Sequence, residues 1–407
     1  MTAMDAITTR REPVDAEYRL ATPAFAAALT ASFATLTSFY LLLSALPAHL
    51  LATGADPLVP GLVTGGLMVA GVASEIGATG LIARIGAHRT FALGALALGG
   101  SALFVLIDGP VALILCCLVR GLGFGLTVVA SGTILMALVP PERRGEGVGV
   151  FGFVASAPAV IALPLGVWAA DRWGIGVVGV ATAAIGLVAM IPALWRFGQG
   201  APTPSPSSTP ADSRPALRLR VAVRRGGLVR PALIFAASTV AAGVVVTFLP
   251  ALSLSLAAPC LLVQALATAV SRWWSGRIGD RLGHSRMLAP AVILAGAGLA
   301  LVLLPYPVAL LSGMALFGLG FGATQTATLS MMAERVPPEG HGAVSAVWNL
   351  AYDVGYSVGP LAGGVVAAAL GFPAVFGIVA GVVLLAVPLV RFDIIVMKRH
   401  HEEAYRR

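Results

Sequence analysis

Long apolar stretches separated by short polar segments fill the chain from residue 23 to residue 396. Each stretch has about 20 residues or more, the helix length needed to cross a hydrocarbon layer of about 30 Å. The apolar positions do not alternate with polar ones as barrel strands require, and lipid offers no partner to an unpaired backbone group. The pattern predicts twelve transmembrane helices, over residues 23–51, 58–83, 89–107, 110–138, 146–170, 174–196, 229–253, 257–279, 286–305, 307–333, 342–369 and 372–396.

Composition supports lipid as the solvent of this chain. Of its 407 residues, 58% are hydrophobic and 11% are charged, whereas a typical soluble domain has roughly 45–50% apolar and about 25% charged residues. A water-soluble protein of this size does not bury that much apolar surface, but a protein dissolved in a bilayer has no need to. The sequence therefore predicts an integral membrane protein and excludes an ordinary soluble globule.

The residues that would support enzyme chemistry are scarce. The three cysteines, Cys116, Cys117 and Cys260, lie within apolar runs, and the six histidines form no cluster with metal-ligand spacing. Lys398 is the only lysine, and no Gly-rich loop precedes it, which argues against a Walker A phosphate loop and a Schiff-base mechanism. We therefore expect no catalytic residues, no metal site and no cofactor.

The basic residues predict how the chain lies in the membrane. Of the 26 lysines and arginines, Arg172 alone falls in a predicted outer loop, Arg120 and Arg272 fall within spans, and the other 23 lie in tails, inner loops or adjoining helix ends. The positive-inside rule then places both termini in the cytoplasm. We expect the protein to lie in the cytoplasmic (inner) membrane. The formal charge of +8 reports this topology rather than a nucleic-acid partner.

The chain divides into two helical halves with a linker between them. The N-terminal segment lacks the apolar core of a cleavable signal peptide, and the Pro/Ser-rich stretch at 200–210 cannot be helical. The predicted organisation is a cytoplasmic tail at 1–22, a six-helix bundle at 23–196, a cytoplasmic Pro/Ser/Arg-rich linker at 197–228, a second six-helix bundle at 229–396 and a cytoplasmic tail at 397–407.

The two halves are internal repeats at an offset of 197 residues. Between residues 118–145 and 315–342, twelve of 28 positions are identical, including Gly-Leu-Gly-Phe-Gly and Val-Pro-Pro-Glu. The offset spans six helices, an even number, so both halves cross the membrane in the same sense and are related by an axis along the membrane normal. The predicted fold class is an all-α membrane protein of two pseudo-symmetric bundles.

Two segments resemble motifs of the major facilitator superfamily, and its twelve-helix drug and sugar efflux group in particular. Residues 276–286 resemble the inner-loop signature between the second and third helix of each half, and the first-half copy at 79–89 has Ala83 where the signature has an acid. Residues 355–364 in the eleventh helix are similar to the Gly-Pro motif that antiporters of this superfamily carry in their fifth helix, where this chain has only Leu163-Pro164-Leu165-Gly166.

The resemblance implies an inner gate on the cytoplasmic side. We expect Asp280 to accept hydrogen bonds from the N-terminal end of the fifth helix near Gly145 and to pair with Arg144, because a helix N-terminus favours an anion. Ala83 cannot do this, so the gate is expected to be asymmetric. The predicted gate residues are Gly276, Asp280, Arg281, Gly283, Arg286, Gly86, Arg89 and Arg144.

Two arginines lie inside predicted spans, where an unpaired charge costs several kcal/mol and reads as functional by default. We expect Arg120 to face the cavity, as a site for an anionic substrate group or as a charge that tunes a carboxylate. The alternative is a buried ion pair with Glu75 or another acid. The family's functional arginine falls at the position of Cys117 here. Arg272 is either functional or paired with the end of the fifth helix.

Two carboxylates, Glu75 and Asp353, are predicted to couple transport to protons. Glu75 lies close to the face of the second helix that the family packs against the eleventh, and Asp353 is on the eleventh. A carboxylic acid in a low-dielectric wall favours its neutral form, and two close together disfavour double ionisation, so the pair holds a proton and releases it when water or a cation enters. The alternative is structural, with Glu75 bound to a polar neighbour and Asp353 capping a glycine-rich break at Gly355.

Several polar and aromatic residues are candidates to line a central substrate cavity. Each of them is alternatively an interhelical hydrogen bond or a packing residue. Gly121, Gly123 and Gly125 resemble a nucleotide loop only superficially, and in a span they are expected to let helices approach closely. Besides Arg120, the cavity candidates are Tyr40, Gln264, Gln325, Trp348, Asn349 and Tyr352.

The function predicted from these features is secondary active transport by a monomer, with the two halves rocking about a midplane site. The first interpretation is proton-coupled efflux of a small, moderately hydrophobic organic compound, a drug or a metabolite, as in multidrug resistance. The partners are then that substrate, protons and the lipid bilayer. The alternatives are a proton-coupled importer of a nutrient or a metal chelate, and a non-transporting receptor or scaffold on the same fold.

Overall fold

The computed structural model describes residues 22–107, 109–139, 143–195, 227–336 and 340–405. Twelve helices in these residues are long and apolar enough to cross a membrane. They are α1 Pro23–Ala52, α2 Leu58–Ile85, α3 Ala87–Ser101, α4 Pro110–Leu138, α5 Arg144–Trp173, α6 Ile175–Val188, α7 Val229–Leu252, α8 Leu254–Leu282, α9 His284–Leu301, α10 Pro307–Glu334, α11 His341–Leu370 and α12 Phe372–Tyr405. A 3₁₀ segment, Ala102–Leu106, prolongs α3, and a short helix, Met190–Trp195, follows α6.

Local sequence signals account for many helix ends. Proline occupies the first turn of α1, α4 and α10, where its missing N–H is not needed. Gly86 and Gly283 end α2 and α8 with φ of 86° and 88°, a conformation that side chains with a Cβ rarely adopt. The 197-residue offset relates these two glycines, and it relates Gly174 to Gly371 at the ends of α5 and α11 in the same way. The repeat is therefore present in the turns as well as in the spans.

The predicted all-α fold with two six-helix bundles is confirmed. One difference lies at the C-terminus, where α12 continues to Tyr405, into the segment predicted as a tail. Hydropathy marks only the part of a helix that lies in lipid, and the polar residues 397–405 prolong this helix beyond its apolar part. The linker predicted at 197–228 lies outside the described residues except for Gly227 and Leu228.

Glycines of α4 allow close helix packing inside the first half, as predicted. A Cβ atom added at Gly121 would lie 2.8 Å from the Cβ of Ala70 on α2, and one at Gly125 would lie 2.9 Å from the Cβ of Ser74. Gly123 faces the other way, because a Cβ there would lie 2.6 Å from the backbone nitrogen of Leu98 on α3. Any larger residue at these positions would push apart helices that carry the central charged groups.

The two halves meet along α2 and α11, and this contact is tight at one end only. We call the end of the bundle where α1 begins the tail end and the opposite end the far end. Near the far end, a Cβ at Gly61 would lie 3.2 Å from the Cα of Gly364. Further along the same face of α2, Thr79 and Ala83 are exposed, and α11 exposes Leu350. The α2–α11 interface is therefore closed at the far end and open at the tail end.

A second far-end feature lies between the halves. A cavity of about 390 Å³ is lined by the α1–α2 connection, including Leu51 and Pro57, by the α7–α8 connection, including Pro250 and Leu254, and by Phe372 of α12. Its walls come from both halves, so the two halves approach each other around this cavity at the far end.

Candidate functional site

The two predicted coupling carboxylates lie together at the interface of the halves. Glu75 on α2 and Asp353 on α11 are close enough to interact electrostatically. Glu75 is about 15 Å from the tail end of α2 and Asp353 about 18 Å from the tail end of α11, at 1.5 Å per residue. Asp353 is 8% exposed and Glu75 is half-buried. The pair occupies the level at which α2 and α11 begin to separate toward the tail end.

The helix around Asp353 is continuous, which contradicts the alternative of a capped break. α11 runs without interruption from His341 to Leu370, and the Ser357 hydroxyl donates to the Asp353 carbonyl oxygen at 2.6 Å within it. Gly355 and Gly359 serve packing instead. A Cβ at Gly355 would lie 2.6 Å from the carbonyl oxygen of Ala236 on α7. Gly359 packs against Val240, which is also on α7.

Arg272 joins the halves at the other contact between them, where α8 packs on α5. Its Nη1 donates to the Ser156 hydroxyl oxygen at 2.9 Å. The guanidinium also lies within electrostatic range of Tyr40 on α1 and Tyr352 on α11. The predicted pairing with the end of α5 is not seen, since Ser156 lies in the body of that helix and no ion pair engages Arg272 within the described ranges.

A row of aromatic rings follows one face of α11 beside the charged groups. Trp348, Tyr352 and Tyr356 recur every four residues, and successive ring centroids are 6.4 Å and 5.5 Å apart. Phe235 of α7 stacks on Trp348 at 4.3 Å, and the Trp348 Nε1 donates to the Thr328 hydroxyl at 3.2 Å. We call these four rings the aromatic ladder. Trp348 and Tyr352 are partly exposed, whereas Phe235 and Tyr356 are buried.

Arg120 does not face the cavity, contrary to the prediction. It is 0% exposed and lies inside the first half. Its Nη1 donates to the carbonyl oxygen of Leu98 on α3 at 2.8 Å, and its Nη2 donates to the carbonyl oxygens of Ser38 and Phe39 on α1. Its Nε has no hydrogen-bond partner, and no described carboxylate pairs with it. The alternative ion pair with Glu75 is therefore absent as well, and the guanidinium links three helices through backbone oxygens.

This placement predicts that Arg120→Lys lowers stability without changing substrate affinity. An ammonium group is a compact point charge that cannot reach the carbonyls of both α1 and α3 as the planar guanidinium does. Lost hydrogen bonds to a buried charge cost about 1–3 kcal/mol. We expect a lower unfolding temperature of the detergent-solubilised protein and an unchanged KM for transport. A raised KM with unchanged stability would instead show that Arg120 takes part in substrate binding.

The remaining cavity candidates differ in position. Gln264 is buried and its Nε2 donates to the Thr268 hydroxyl at 3.1 Å, one turn along α8, so it has an intrahelical partner. Gln325 on α10 is also buried, at 7% exposure. Asn349 is exposed on the part of α11 that opens toward the tail end. Tyr40, half-buried on α1, neighbours both Arg272 and Asp353.

The predicted inner gate lies at the tail end of α8. The Asp280 side chain is 77% exposed and its Oδ1 is 3.9 Å from the Nε2 of His284. His284 in turn contacts Glu334 of α10 at 2.8 Å through Nδ1. The structure describes the backbone of residues 144–149 but not their side chains, so the predicted pairing of Asp280 with Arg144 stays a prediction. Among the other gate residues, Arg89, Arg281 and Arg286 are exposed, and Gly276 is half-buried.

Sequence reasoning missed two parts of this structure. The first part is the contact of Ser156 with Arg272. Ser156 is the repeat counterpart of Asp353, so applying the 197-residue offset to Asp353 would have pointed to it. The second part is a network at the tail end of the second half, where Asp393 of α12 pairs with Arg335 and Arg230. Its members are 58 and 163 residues apart in the chain, so no local pattern indicates it.

Twelve spans in two halves, with charged groups at the interface, are typical of a membrane transporter. The family model of the Major Facilitator Superfamily matches residues 28–259 and 252–404, so the chain belongs to this superfamily. The nucleoside transporter NupG superposes with a TM-score of 0.70 at 15% identity, over 92% of this chain and 99% of that chain. A bacterial homologue of the human lysosomal transporter Spinster, in an inward-facing and occupied conformation, gives 0.68 at 13% identity, over 91% and 96%.

Proposed function

We propose that this transporter is a proton-coupled exporter of a small organic compound that works by alternating access. The observation that carries the proposal is that Glu75 on α2 and Asp353 on α11 lie within electrostatic range of each other, where these two helices separate. Two adjacent carboxylates in a membrane interior disfavour double ionisation, so one proton is retained until a competing cation or water arrives. The open tail end gives water and substrate a route to this pair.

The proposed orientation places the tail end in the cytoplasm. Among the described residues, the arginines at helix ends and connections lie at the tail end, apart from Arg172 at the far end of α5. This distribution follows the positive-inside rule. The described tail-end arginines are Arg84, Arg89, Arg143, Arg144, Arg230, Arg277, Arg281, Arg286, Arg335, Arg391 and Arg399. In this orientation the structure is open to the cytoplasm, the conformation in which an exporter collects its substrate.

The antiporter-like segment of α11 supports export rather than import. Its segment 355–364 is similar to the Gly-Pro motif of antiporters. Gly355, Gly359 and Gly363 hold α11 directly against α7, whereas Gly364 faces α2 of the first half. In the proposed cycle α11 moves with the second half, and Asp353 lies within electrostatic range of Glu75 on α2 of the first half. Rocking of the halves changes the environment of the pair, which is what exchange of a proton for substrate requires.

Proteoliposomes with an imposed proton gradient test this proposal. A panel of labelled small organic compounds is followed with the gradient in either direction and with a protonophore as control. An exporter by proton exchange moves a compound against the direction of proton flow, and the protonophore abolishes this movement. Movement in the same direction as protons would make the protein an importer, and no gradient-driven movement of any compound would support the scaffold alternative.

The gate prediction belongs to the same mechanism. Asp280→Asn removes the charge expected at the N-terminal end of α5, so we expect the outward-facing state, which needs the tail end closed, to become less populated. Accessibility of single cysteines on the exposed tail-end face of α2, such as Thr79→Cys, to a water-soluble thiol reagent reports this balance. Unchanged accessibility and unchanged transport would contradict the gate, and Asp171→Asn at the far end serves as a control.

A further inference from the structure

Opposite charges occupy equivalent positions at the two contacts between the halves. The repeat offset relates Glu75 to Arg272 and Asp353 to Ser156. The α2–α11 contact therefore carries two carboxylates, and the α5–α8 contact carries a guanidinium on a serine hydroxyl. Because an axis along the membrane normal relates the halves, these contacts lie on opposite sides of that axis. The interface thus has a negative side and a positive side at similar depth.

The two charged sides do not neutralise each other. No ion pair joins Arg272 to either carboxylate in the described part of the chain, and one described hydrogen bond engages a guanidinium that has five N–H groups. Tyr40 and Tyr352 each lie within electrostatic range of both Arg272 and Asp353. Neutral hydroxyl groups therefore neighbour both charges, and each charge remains able to bind a ligand group of opposite sign.

The aromatic ladder extends from this cluster. Tyr352 belongs both to the ladder and to the surroundings of Arg272, and three of the four ladder rings lie on the same helix as Asp353. Of these rings, Trp348 and Tyr352 are partly exposed, whereas Tyr356 is buried. A planar ring stacks favourably on partly exposed aromatic surface of this kind. Charge of both signs and a stacking surface are thus present within one cluster.

We infer that the cluster binds an aromatic zwitterion, a compound with a planar ring, an amine and a carboxylate. The ammonium group binds the Glu75–Asp353 pair, the carboxylate binds Arg272, and the ring stacks on Trp348 and Tyr352, the two partly exposed rings of the ladder. The inference rests on the proposed function and deepens it. An ammonium group and a proton compete for the same pair of carboxylates, so binding of one releases the other, as an antiporter needs.

Equilibrium binding to the purified full-length protein in detergent, without a proton gradient, tests this inference. The probes are phenylalanine, tryptophan and 4-(aminomethyl)benzoate, each compared with its methyl ester, which lacks the anion, and its N-acetyl derivative, which lacks the cation. The two charges of 4-(aminomethyl)benzoate lie farther apart than those of phenylalanine and tryptophan, which share one charge separation and differ in the size of the ring. We expect at least one zwitterion to bind about tenfold or more tighter than both of its derivatives, because each charge contributes a charge-assisted contact.

Variants assign each charge to its side of the interface. Arg272→Gln should weaken binding of the zwitterion and of its N-acetyl derivative about tenfold and leave the methyl ester unchanged. Arg272→Lys should retain part of this affinity, because the charge remains while the planar fork is lost. The double variant Glu75→Gln/Asp353→Asn should weaken the zwitterion and the ester and leave the N-acetyl derivative unchanged. Arg277→Gln is the matched control, since that guanidinium stacks on the exposed Trp273 ring.

Two results would overturn the inference. The first is a panel in which no zwitterion binds tighter than its two derivatives. The second is an Arg272→Gln protein that loses affinity for the zwitterion and for its methyl ester equally while its unfolding temperature is unchanged. Failure of the exporter proposal looks different. In that case the ligand pattern and its variants behave as described, but the zwitterion is not moved by a proton gradient in proteoliposomes.

Discussion

Glu75→Gln and Asp353→Asn will each abolish proton-driven transport in proteoliposomes while substrate still binds. Gln and Asn resemble the protonated acids in size and shape but can neither take up nor release a proton. Each variant leaves one carboxylate to hold a substrate cation, so affinity falls only a few-fold. Loss of the partner charge also removes the like-charge repulsion by which the pair retains a proton. The driven component should therefore drop to the level of empty vesicles.

The measurement separates coupling from binding. Gradient-driven movement of a compound identified from the panel is compared with exchange of labelled for unlabelled compound at equal pH on both sides, which needs no net proton movement. We expect the variants to lose the gradient-driven movement and to keep the exchange of labelled for unlabelled compound. Asp171→Asn, which neutralises an exposed acid at the far end of α5, should lose neither. Full coupled transport by either variant would remove the carboxylate pair from the mechanism.

The fold could be predicted from the sequence because lipid strictly limits which backbone structures can cross a membrane. A hydrocarbon layer requires long apolar helices, so runs of apolar residues alone predict the spans. The repeat then fixes the relation of the halves, since positions such as Gly86 and Gly283 recur at a constant offset with the same backbone conformation. The end of α12 could not be predicted in this way, because hydropathy does not indicate how far a helix continues beyond the lipid into water.

The candidate site was predictable only in part, and the arginines show why. The neighbourhood of Glu75 and Asp353 followed from helix faces and from the way the family packs α2 on α11. Arg120 was misplaced because its partners are backbone carbonyls of Ser38, Phe39 and Leu98, and a carbonyl oxygen is present at every residue. No residue type therefore marks the acceptor. Only the three-dimensional packing of α1, α3 and α4 distinguishes a buried structural arginine from one that binds substrate.

Asp393 provides the strongest test of stability in the second half. Its carboxylate is 0% exposed and accepts from Arg335 at 2.5 Å and 3.2 Å and from Arg230 at 3.2 Å. Arg335 also donates to the Gly227 carbonyl oxygen, and the Arg230 guanidinium lies 5.2 Å from the centroid of the Phe392 ring. One buried acid thus connects the start of α7, the end of α10 and α12 at the tail end.

Asp393→Ala is expected to destabilise the protein by about 3–5 kcal/mol, because it leaves two largely buried guanidinium groups without their counter-charge. The unfolding temperature of the detergent-solubilised protein should fall by several degrees, whereas the exposed-site control Asp171→Ala should leave it unchanged. Adding Arg335→Met to Asp393→Ala should recover part of the loss, because removing both partners of a buried pair costs less than removing one. An unfolding temperature equal to that of the wild-type protein in Asp393→Ala would show that the network is solvated and contributes little. A double variant less stable than the single one would show instead that Arg335 stabilises the tail end mainly through Gly227 and not through the acid.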